Sequence, residues 1–381
     1  MLPSLLQALT DLPLFGYISF RMAMAGMTAF LVALAAGGPC IRWLRKHKVG
    51  ENAAKTDSAE LAAHAKLTSK HGTPTMGGSF LVGSLLVAVL LWCRLDNLQV
   101  VLGTILVAGL AAVGFVDDYL KLTVAGSKGL TPKAKIIGQC GTVLFVIGGL
   151  IWYALASGRY SLLAIYPPLF KNFSISLGES WIGIVGFAAL AWLFLVGTSN
   201  AANITDGLDG LAAGCMLITG LALSALCYVT GRYDWTAYLN LPFVPAAAEM
   251  AVVGAALCGA CMGFLWFNAF PAKVFMGDSG SLPLGGLLAW MALVSKQELV
   301  LPLVAFVFYA ELGSSFLQTQ WFRRSGGKRL FTMAPIHHGL QLHGGIFRSS
   351  PNKMHEVTIT VRAWILSAVC GLAGLALLKV R

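Results

Sequence analysis

The residues able to do chemistry in this sequence are acids, lysines and histidines set at the ends of apolar runs. Asp117 and Asp118 close a run that begins near Leu98, and Lys121 follows them. On a continuing helix Asp117 and Lys121 are i,i+4 neighbours and can pair, while Asp118 points about 100° away. Adjacent carboxylates bind hard cations such as Mg²⁺ through oxygen, with water and substrate phosphate completing the coordination. A carboxylate at the centre of a bilayer costs about 2.5–3.5 kcal/mol on insertion scales, so two acids at a membrane boundary need a reason. Taken alone, the pair reads equally well as a helix stop and as a holder of metal or phosphate.

Four further stretches carry polar groups of the same kind. Lys70-His71-Gly72-Thr73-Pro74-Thr75-Met76-Gly77-Gly78 is a Gly/Pro turn whose N–H groups could face a phosphate, with Lys70 as counter-charge; a plain turn before a helix explains it as well. Asn203-Ile204-Thr205-Asp206-Gly207-Leu208-Asp209-Gly210 sets two acids in a tight polar turn and lacks the twelve-residue spacing of a calcium EF-hand. The stretch from Asn268 to Ser281 adds Asp278, and its Phe275 could stack on a flat base or anchor the loop in the lipid interface. Ala334-Pro335-Ile336-His337-His338 offers acid–base groups, metal ligands or, when protonated, phosphate contacts. No cysteine accompanies these histidines, which argues against structural zinc. Beside the Asp117 pair, Lys128, Lys133 and Lys135 add positive charge that serves topology and phosphate attraction alike.

The elements that position these groups follow from composition. The 381 residues are 57% hydrophobic and 11% charged, with mean hydropathy +0.75, where a soluble domain averages about 25% charged residues. The expectation is an all-α polytopic membrane protein, a single integral domain over 1–381 with about ten transmembrane helices. Apolar windows fall at about 17–38, 76–93, 98–116, 136–156, 181–198, 211–230, 250–268, 281–295, 298–318 and 358–378, each close to the length needed to span a bilayer. The link at 157–180 reads as an interfacial loop or short hairpin. The eight cysteines sit within or at the ends of apolar runs and read as small packing residues.

The net charge of +11 is read as topology rather than as a nucleic-acid footprint, because Lys and Arg collect on the cytoplasmic side. The links 39–75, 117–135, 199–210, 269–280 and 319–357 hold eighteen Lys and Arg, and the opposite links seven. The first set is therefore expected to be cytoplasmic, with both termini outside. All seven histidines and Asp117, Asp118, Asp206, Asp209 and Asp278 fall on that same side. A transporter would more often place ionisable groups at mid-membrane, and one acid, Glu311 inside the ninth window, breaks the pattern. Its bland reading is a helix-buried acid bonded to a neighbour; lining a substrate groove is the weaker one. Phosphoryl transfer fits the set: a divalent cation and basic side chains hold phosphate charge while a carboxylate positions or deprotonates the nucleophile. A site at the membrane surface implies one lipid substrate, and a basic face implies an anionic soluble donor.

On these residues the sequence resembles the polyprenyl-phosphate N-acetylhexosamine-1-phosphate transferases over nearly its whole length. The signatures are Gly72 through Gly78, Asp117-Asp118-x-x-Lys121, Asn203 through Gly210, Phe275-Met276-Gly277-Asp278-x-Gly280-Ser281 and Ala334 through His338, with Val361-Arg362-x-Trp364-Ile365 and the closing Leu378-Lys379-Val380-Arg381. The resemblance implies a ten-helix fold in the bacterial plasma (inner) membrane with the site in a cytoplasmic cleft. There undecaprenyl phosphate would attack the β-phosphate of UDP-MurNAc-pentapeptide and release UMP, giving the lipid I of peptidoglycan synthesis; a UDP-GlcNAc donor is the rival within the family. It implies Mg²⁺ with Asp278 as leading ligand, and Asp117 and Asp118 orienting or deprotonating the lipid phosphate or assisting the metal. It implies Lys70, Lys121 and Lys133 on phosphates, Thr75 in the substrate site, and Asn203, Asp206 and Asp209 lining the nucleotide-sugar site. Asn268 and Phe275 would hold the uridine, His337 and His338 would face the donor's sugar and phosphate, and a second copy of the chain is a candidate partner. The family usually shows three consecutive histidines. Here Gly339 stands in the third place, with His343 the nearest candidate to replace it, and the loop 49–69 also departs from the family pattern.

Overall fold

A computed structural model describes residues 2–47, 73–123, 127, 129–170 and 173–379. Within them the chain is a bundle of α-helices. These are α1 (Leu2–Thr10), α2 (Ile18–Lys46), α3 (Gly78–Trp92), α4 (Leu98–Thr123), α5 (Pro132–Ala156), α6 (Trp181–Thr205), α7 (Leu211–Thr230), α8 (Tyr233–Leu239), α9 (Ala247–Asn268), α10 (Asp278–Val294), α11 (Leu301–Val304), α12 (Phe306–Arg324), α13 (Ile336–His343) and α14 (Glu356–Ala376). The 157–180 link forms a two-residue hairpin, β1 (Ala164–Ile165) against antiparallel β2 (Ile175–Ser176).

Every one of the ten apolar windows coincides with a helix, though not all as single spans. Among the described residues seven helices are long and apolar enough to cross a membrane, and α3 is a shorter apolar one. The window at 298–318 is broken at Ala305 into α11 and α12. Helix α10 is buried along its whole length, which fits a helix without a polar face at the centre of a bundle. It packs against α4 and α6, while α9 packs against α2 and α7.

Small residues set these approaches. Ala25, Ala29, Ala33 and Gly37 recur every fourth position on α2 and are all buried. A Cβ on Gly259 of α9 would overlap the backbone of Gly26. Such stripes let backbones close, which is how helices associate where lipid removes the hydrophobic drive. Of the eight free cysteines, six are buried, Cys258 and Cys261 among them, as packing residues should be.

The helices of the site end run past their apolar windows. α4 continues through Asp117 and Asp118 to Thr123, and α6 continues to Thr205. The marked acids of α4 therefore sit on a helix end, as does Asn203 of α6.

Candidate active site

Three carboxylates meet at one end of the bundle. Asp117 and Asp118 come from the last turns of α4, and Asp278 is the first residue of α10. All three are buried, and each offers an oxygen within 4.8 Å of the others. The approach depends on Gly114, one turn before the acids, where a Cβ would overlap the Asp278 carbonyl, and on Gly78 of α3, where it would overlap the backbone of Gly280. Helices α3, α4 and α10 thus touch backbone to backbone at the site.

Two lysines answer the acids. Lys121 Nζ lies 2.6 Å from Asp117 Oδ2, 3.7 Å from Asp118 Oδ1 and 3.2 Å from Asp278 Oδ2. Lys135 Nζ, from the first turn of α5, lies 2.6 Å from Asp278 Oδ2. The i,i+4 pairing expected of Asp117 and Lys121 is formed. Three negative and two positive charges leave the cluster one charge negative, a set of oxygen donors that suits a hard divalent cation.

The two adjacent acids have different work. Asp118 caps α10: the N–H of Ser279 donates to its Oδ2 at 3.0 Å and that of Asp278 to its Oδ1 at 3.4 Å. An acid here also complements the positive end of the helix dipole. The preceding Gly277 holds φ +73°, a conformation that favours glycine, and its Cβ would press on Asp118. Asp117 instead receives the N–H of Leu130 at 2.7 Å, which ties the 127–131 loop to the cluster.

The turn at 203–210 is built by the polar residues that the sequence marks there. Asp206 Oδ2 accepts the N–H of Gly277 at 3.1 Å, and Asp209 Oδ2 accepts that of Ala272 at 2.9 Å. Asn203 Oδ1 accepts from Ser281 Oγ at 3.1 Å. Asn268 Oδ1 accepts the N–H of Gly210 at 3.1 Å while its Nδ2 donates to the Val274 carbonyl at 2.9 Å. These side chains lock the 206–210 turn to the 269–277 loop.

The remaining marked residues are placed as follows. Lys70 lies outside the described residues, as does the loop 49–69. Thr75 is half-buried beside half-buried Phe275, because the N–H of Phe275 donates to the Pro74 carbonyl at 2.8 Å and that of Gly77 to the Phe275 carbonyl at 2.9 Å. The N–H of Gly78 goes to the Met276 carbonyl at 2.8 Å. The donors of Gly77 and Gly78 are thus spent on joining two loops, and are not turned toward a phosphate. Lys133 is exposed on α5. His337 is buried and His338 half-buried on α13, their rings 4.2 Å apart. Gly339 sits where a Cβ would come 3.0 Å from the Met333 carbonyl and from Thr332 Oγ1, a tight contact that a side chain there could make only if these neighbours gave way by a few tenths of an ångström. His343, four residues along α13 from Gly339, lies about 40° round the helix from it, on the same face.

Three residues outside the family signatures also contact the marked residues; of these Lys135 and Glu311, but not Glu356, are marked in the sequence. Lys135 continues the inward stripe of α5, in which Gln139, Val143, Val146 and Leu150 are buried; four residues before Gln139 is Lys135, whereas Lys133 falls off the stripe. Glu356, at the start of α14, accepts the N–H of Asp209 at 2.8 Å. Glu311, on α12, lies against His337. For the last two the sequence shows only an acid near or within an apolar run.

The chain belongs to glycosyl transferase family 4, whose model matches residues 98–296. The match takes in both acidic loci and the 203–210 turn. At closer range the chain is 40% identical over 374 residues to the phospho-N-acetylmuramoyl-pentapeptide-transferase of Oleidesulfovibrio alaskensis, covering 97% of each chain. It is 41% identical over 370 residues to the enzyme of that name from Maridesulfovibrio salexigens, covering 97% of this chain and 96% of that one. With the Neisseria gonorrhoeae enzyme of that name it shares 40% identity over 375 residues, 98% of this chain and 97% of that one. The resemblance drawn from the motifs is borne out at the level of the family and of these relatives.

Proposed function

We propose that this chain transfers phospho-MurNAc-pentapeptide from UDP-MurNAc-pentapeptide to undecaprenyl phosphate, giving lipid I and UMP. The observation that carries the reading is the cluster of Asp117, Asp118 and Asp278 with Lys121 and Lys135 at one end of a membrane bundle, in a chain about as long as the transferases it matches. The excess of Lys and Arg in the links on that side supports a cytoplasmic site in the bacterial plasma membrane.

In the reaction an oxygen of the lipid phosphate bonds to the β-phosphorus of the donor. The bond from that phosphorus to the oxygen bridging it to UMP breaks, and UMP leaves with the electron pair. A phosphate monoester is already ionised at neutral pH, so the acceptor needs placement more than activation. Lys121 and Lys135 carry their ammoniums on flexible stems and can turn from the acids to the incoming phosphates. Asp117 engages Leu130 N–H through one oxygen and Lys121 through the other, which makes it a holder of Lys121 rather than an attacking group. Asp278, bonded to both lysines, sets their positions from the other side.

Asp117, Asp118 and Asp278 would hold Mg²⁺; the oxygens of Asp118 that cap α10 each keep a second lone pair. When bound there, Mg²⁺ supplies charge neutralisation at phosphate oxygens. Beside this cluster, Phe275 would receive the uridine, on a loop that buried Asn268 holds in place through Gly210 and Val274 rather than by contact of its own, and His337 would face the sugar-phosphate region.

The test is release of UMP by the purified full-length chain in detergent with undecaprenyl phosphate, UDP-MurNAc-pentapeptide and Mg²⁺. Turnover is expected with this donor and not when UDP-GlcNAc replaces it. A folded sample that releases no UMP sinks the reading, and preference for UDP-GlcNAc moves the chain to the rival donor. UMP exchange in the absence of lipid acceptor would show a phospho-enzyme and overturn the holding role of Asp117.

A further inference from the structure

Three polar side chains of α14 stand four residues apart: Glu356, Thr360 and Trp364. Residues at that spacing lie one above the other on a single helix face. Each of the three bonds the main chain of the same turn. Glu356 Oε1 accepts the N–H of Asp209 at 2.8 Å. Thr360 Oγ1 donates to the Asp209 carbonyl at 3.1 Å, and Trp364 Nε1 donates to the Gly210 carbonyl at 3.2 Å. Glu356 and Thr360 are buried and Trp364 is half-buried.

The turn needs such support. It contains Gly207 and Gly210, and Gly210 takes φ +72°; glycine leaves the backbone more freedom than any other residue. The bond from Glu356 is made by a carboxylate, the stronger kind, and its other oxygen receives Nε2 of Gln341 from α13 at 3.5 Å. At the far end of the stripe the indole is seated against α7 at Gly214, where a Cβ would overlap it. α14 packs along α7 in any case, so three bonds to two consecutive residues serve the turn more than the helix. The held turn then fixes the loop that carries Phe275 and Asp278, because Asp209 Oδ2 takes the N–H of Ala272 and Asp206 Oδ2 that of Gly277.

We infer that Glu356, Thr360 and Trp364 are positioning residues for the nucleotide-sugar site: as one stripe of α14 they clamp the 206–210 turn in the shape in which Asp206 and Asp209 hold the loop of Phe275. A site held in its binding shape beforehand costs the ligand less to order. Loss of the clamp therefore weakens capture of the donor and spares the lipid acceptor. The inference rests on the transferase reading for the identity of the donor, but not for the clamp itself.

The experiment compares T360V, T360S, W364F and the double variant T360V/W364F of the full-length chain in detergent, read in two ways. T360V keeps the shape and removes the hydroxyl, T360S keeps the hydroxyl, and W364F keeps an aromatic ring without the N–H. In turnover, KM for the nucleotide-sugar is expected to rise about 2–10-fold in T360V and in W364F, the worth of one hydrogen bond, and further in the double variant. KM for undecaprenyl phosphate should stay within about twofold of wild type, and T360S should match wild type. A merely structural role would lower the melting temperature and the active fraction and move neither KM. An unchanged KM for the nucleotide-sugar in the double variant, a rise shared equally by the lipid, or a T360S as impaired as T360V overturns the proposal while leaving the transferase reading intact. The second reading, amide hydrogen exchange, needs no activity. In the double variant, exchange in peptides over 203–214 should quicken by at least about tenfold, and that over 110–121 should not change. Unchanged exchange over 203–214 overturns the clamp even if the chain proves to have another substrate.

Discussion

At one end of the bundle Arg21 and Glu249 face each other through two bonds, Nη1 to Oε2 at 2.8 Å and Nη2 to Oε1 at 2.6 Å. At the other end, three carboxylates share two lysines. Glu249 begins α9 and Asn268 ends it, so about 28 Å of helix separates the two places. Both bury charge, but the first is closed: the fork of Arg21 matches the carboxylate, and Glu249 also takes the N–H of Arg94 at 3.1 Å. The second is open, with charges unequal in number and carried by α4, α5 and α10. A matched rigid pair fastens helices; an unmatched set of acids has oxygens that could hold a further cation.

If that contrast is right, the largest effect lies at Asp278. Asp278→Ala should lower UMP release by roughly 10³-fold or more, in the range of lost electrostatic stabilisation at a reacting centre, and leave melting within a few degrees. Turnover close to wild type would remove Asp278 from the chemistry.

The lysines sharpen the same end. Lys135→Ala should reduce turnover by roughly 10–100-fold, and Lys133→Ala by less than about threefold, because only Lys135 reaches the cluster. Equal losses would mean that Lys133 swings inward when substrate binds.

At the fastened end the expected change is in stability. Glu249→Ala leaves Arg21 buried and unpaired and should cost about 3–5 kcal/mol, whereas Arg21→Met combined with Glu249→Leu should recover most of it. Turnover of the molecules that remain folded should not change. A loss of activity without a loss of melting temperature would make the two ends alike.

The smallest effect is on pH dependence at Lys296, in the loop after α10 at the fastened end. Burial pulls its ammonium down to about 8, against the nearby Glu298 carboxylate, which acts to raise it. In the unfolded chain the group keeps a pKa near 10.4, so between about pH 8 and 10 the unfolded chain binds the extra proton. Stability therefore rises with pH across that window, by up to about 3 kcal/mol for the full gap. Lys296→Met, melted at the same pH values, should show none of this rise, so that the whole of it remains in the wild-type-minus-variant difference. An unchanged pH slope in the variant would mean that Lys296 does not carry the effect.

Much of this was legible in the sequence. Ten apolar windows marked ten helical regions, because a segment that must satisfy its own backbone in lipid has to be long, apolar and helical. The Asp117–Lys121 pair followed from helical spacing alone. The acids and histidines that meet at the site were visible as one-sided residues in the links. The misreadings share a cause. Gly77 and Gly78 looked like a phosphate turn, yet their N–H groups meet carbonyls some two hundred residues away. Lys133 and Lys135 are alike in composition, and only the direction of α5 separates them. Glu311 was legible as a helix-buried acid with a neighbour, and only the fold shows that the neighbour is His337.

By itself, then, the sequence determined the class of the protein, its apolar helical segments and the links in which the acids, lysines and histidines gather. Those follow from local rules: hydropathy over a window, charge over a link, spacing along a helix. The tertiary structure decided which of two adjacent aspartates caps a helix and which ties down a loop, which lysine reaches the acids, and which acid stands behind His337. These are set by where backbones can approach, at Gly78, Gly114 and Gly207, and such contacts join residues that no local pattern relates.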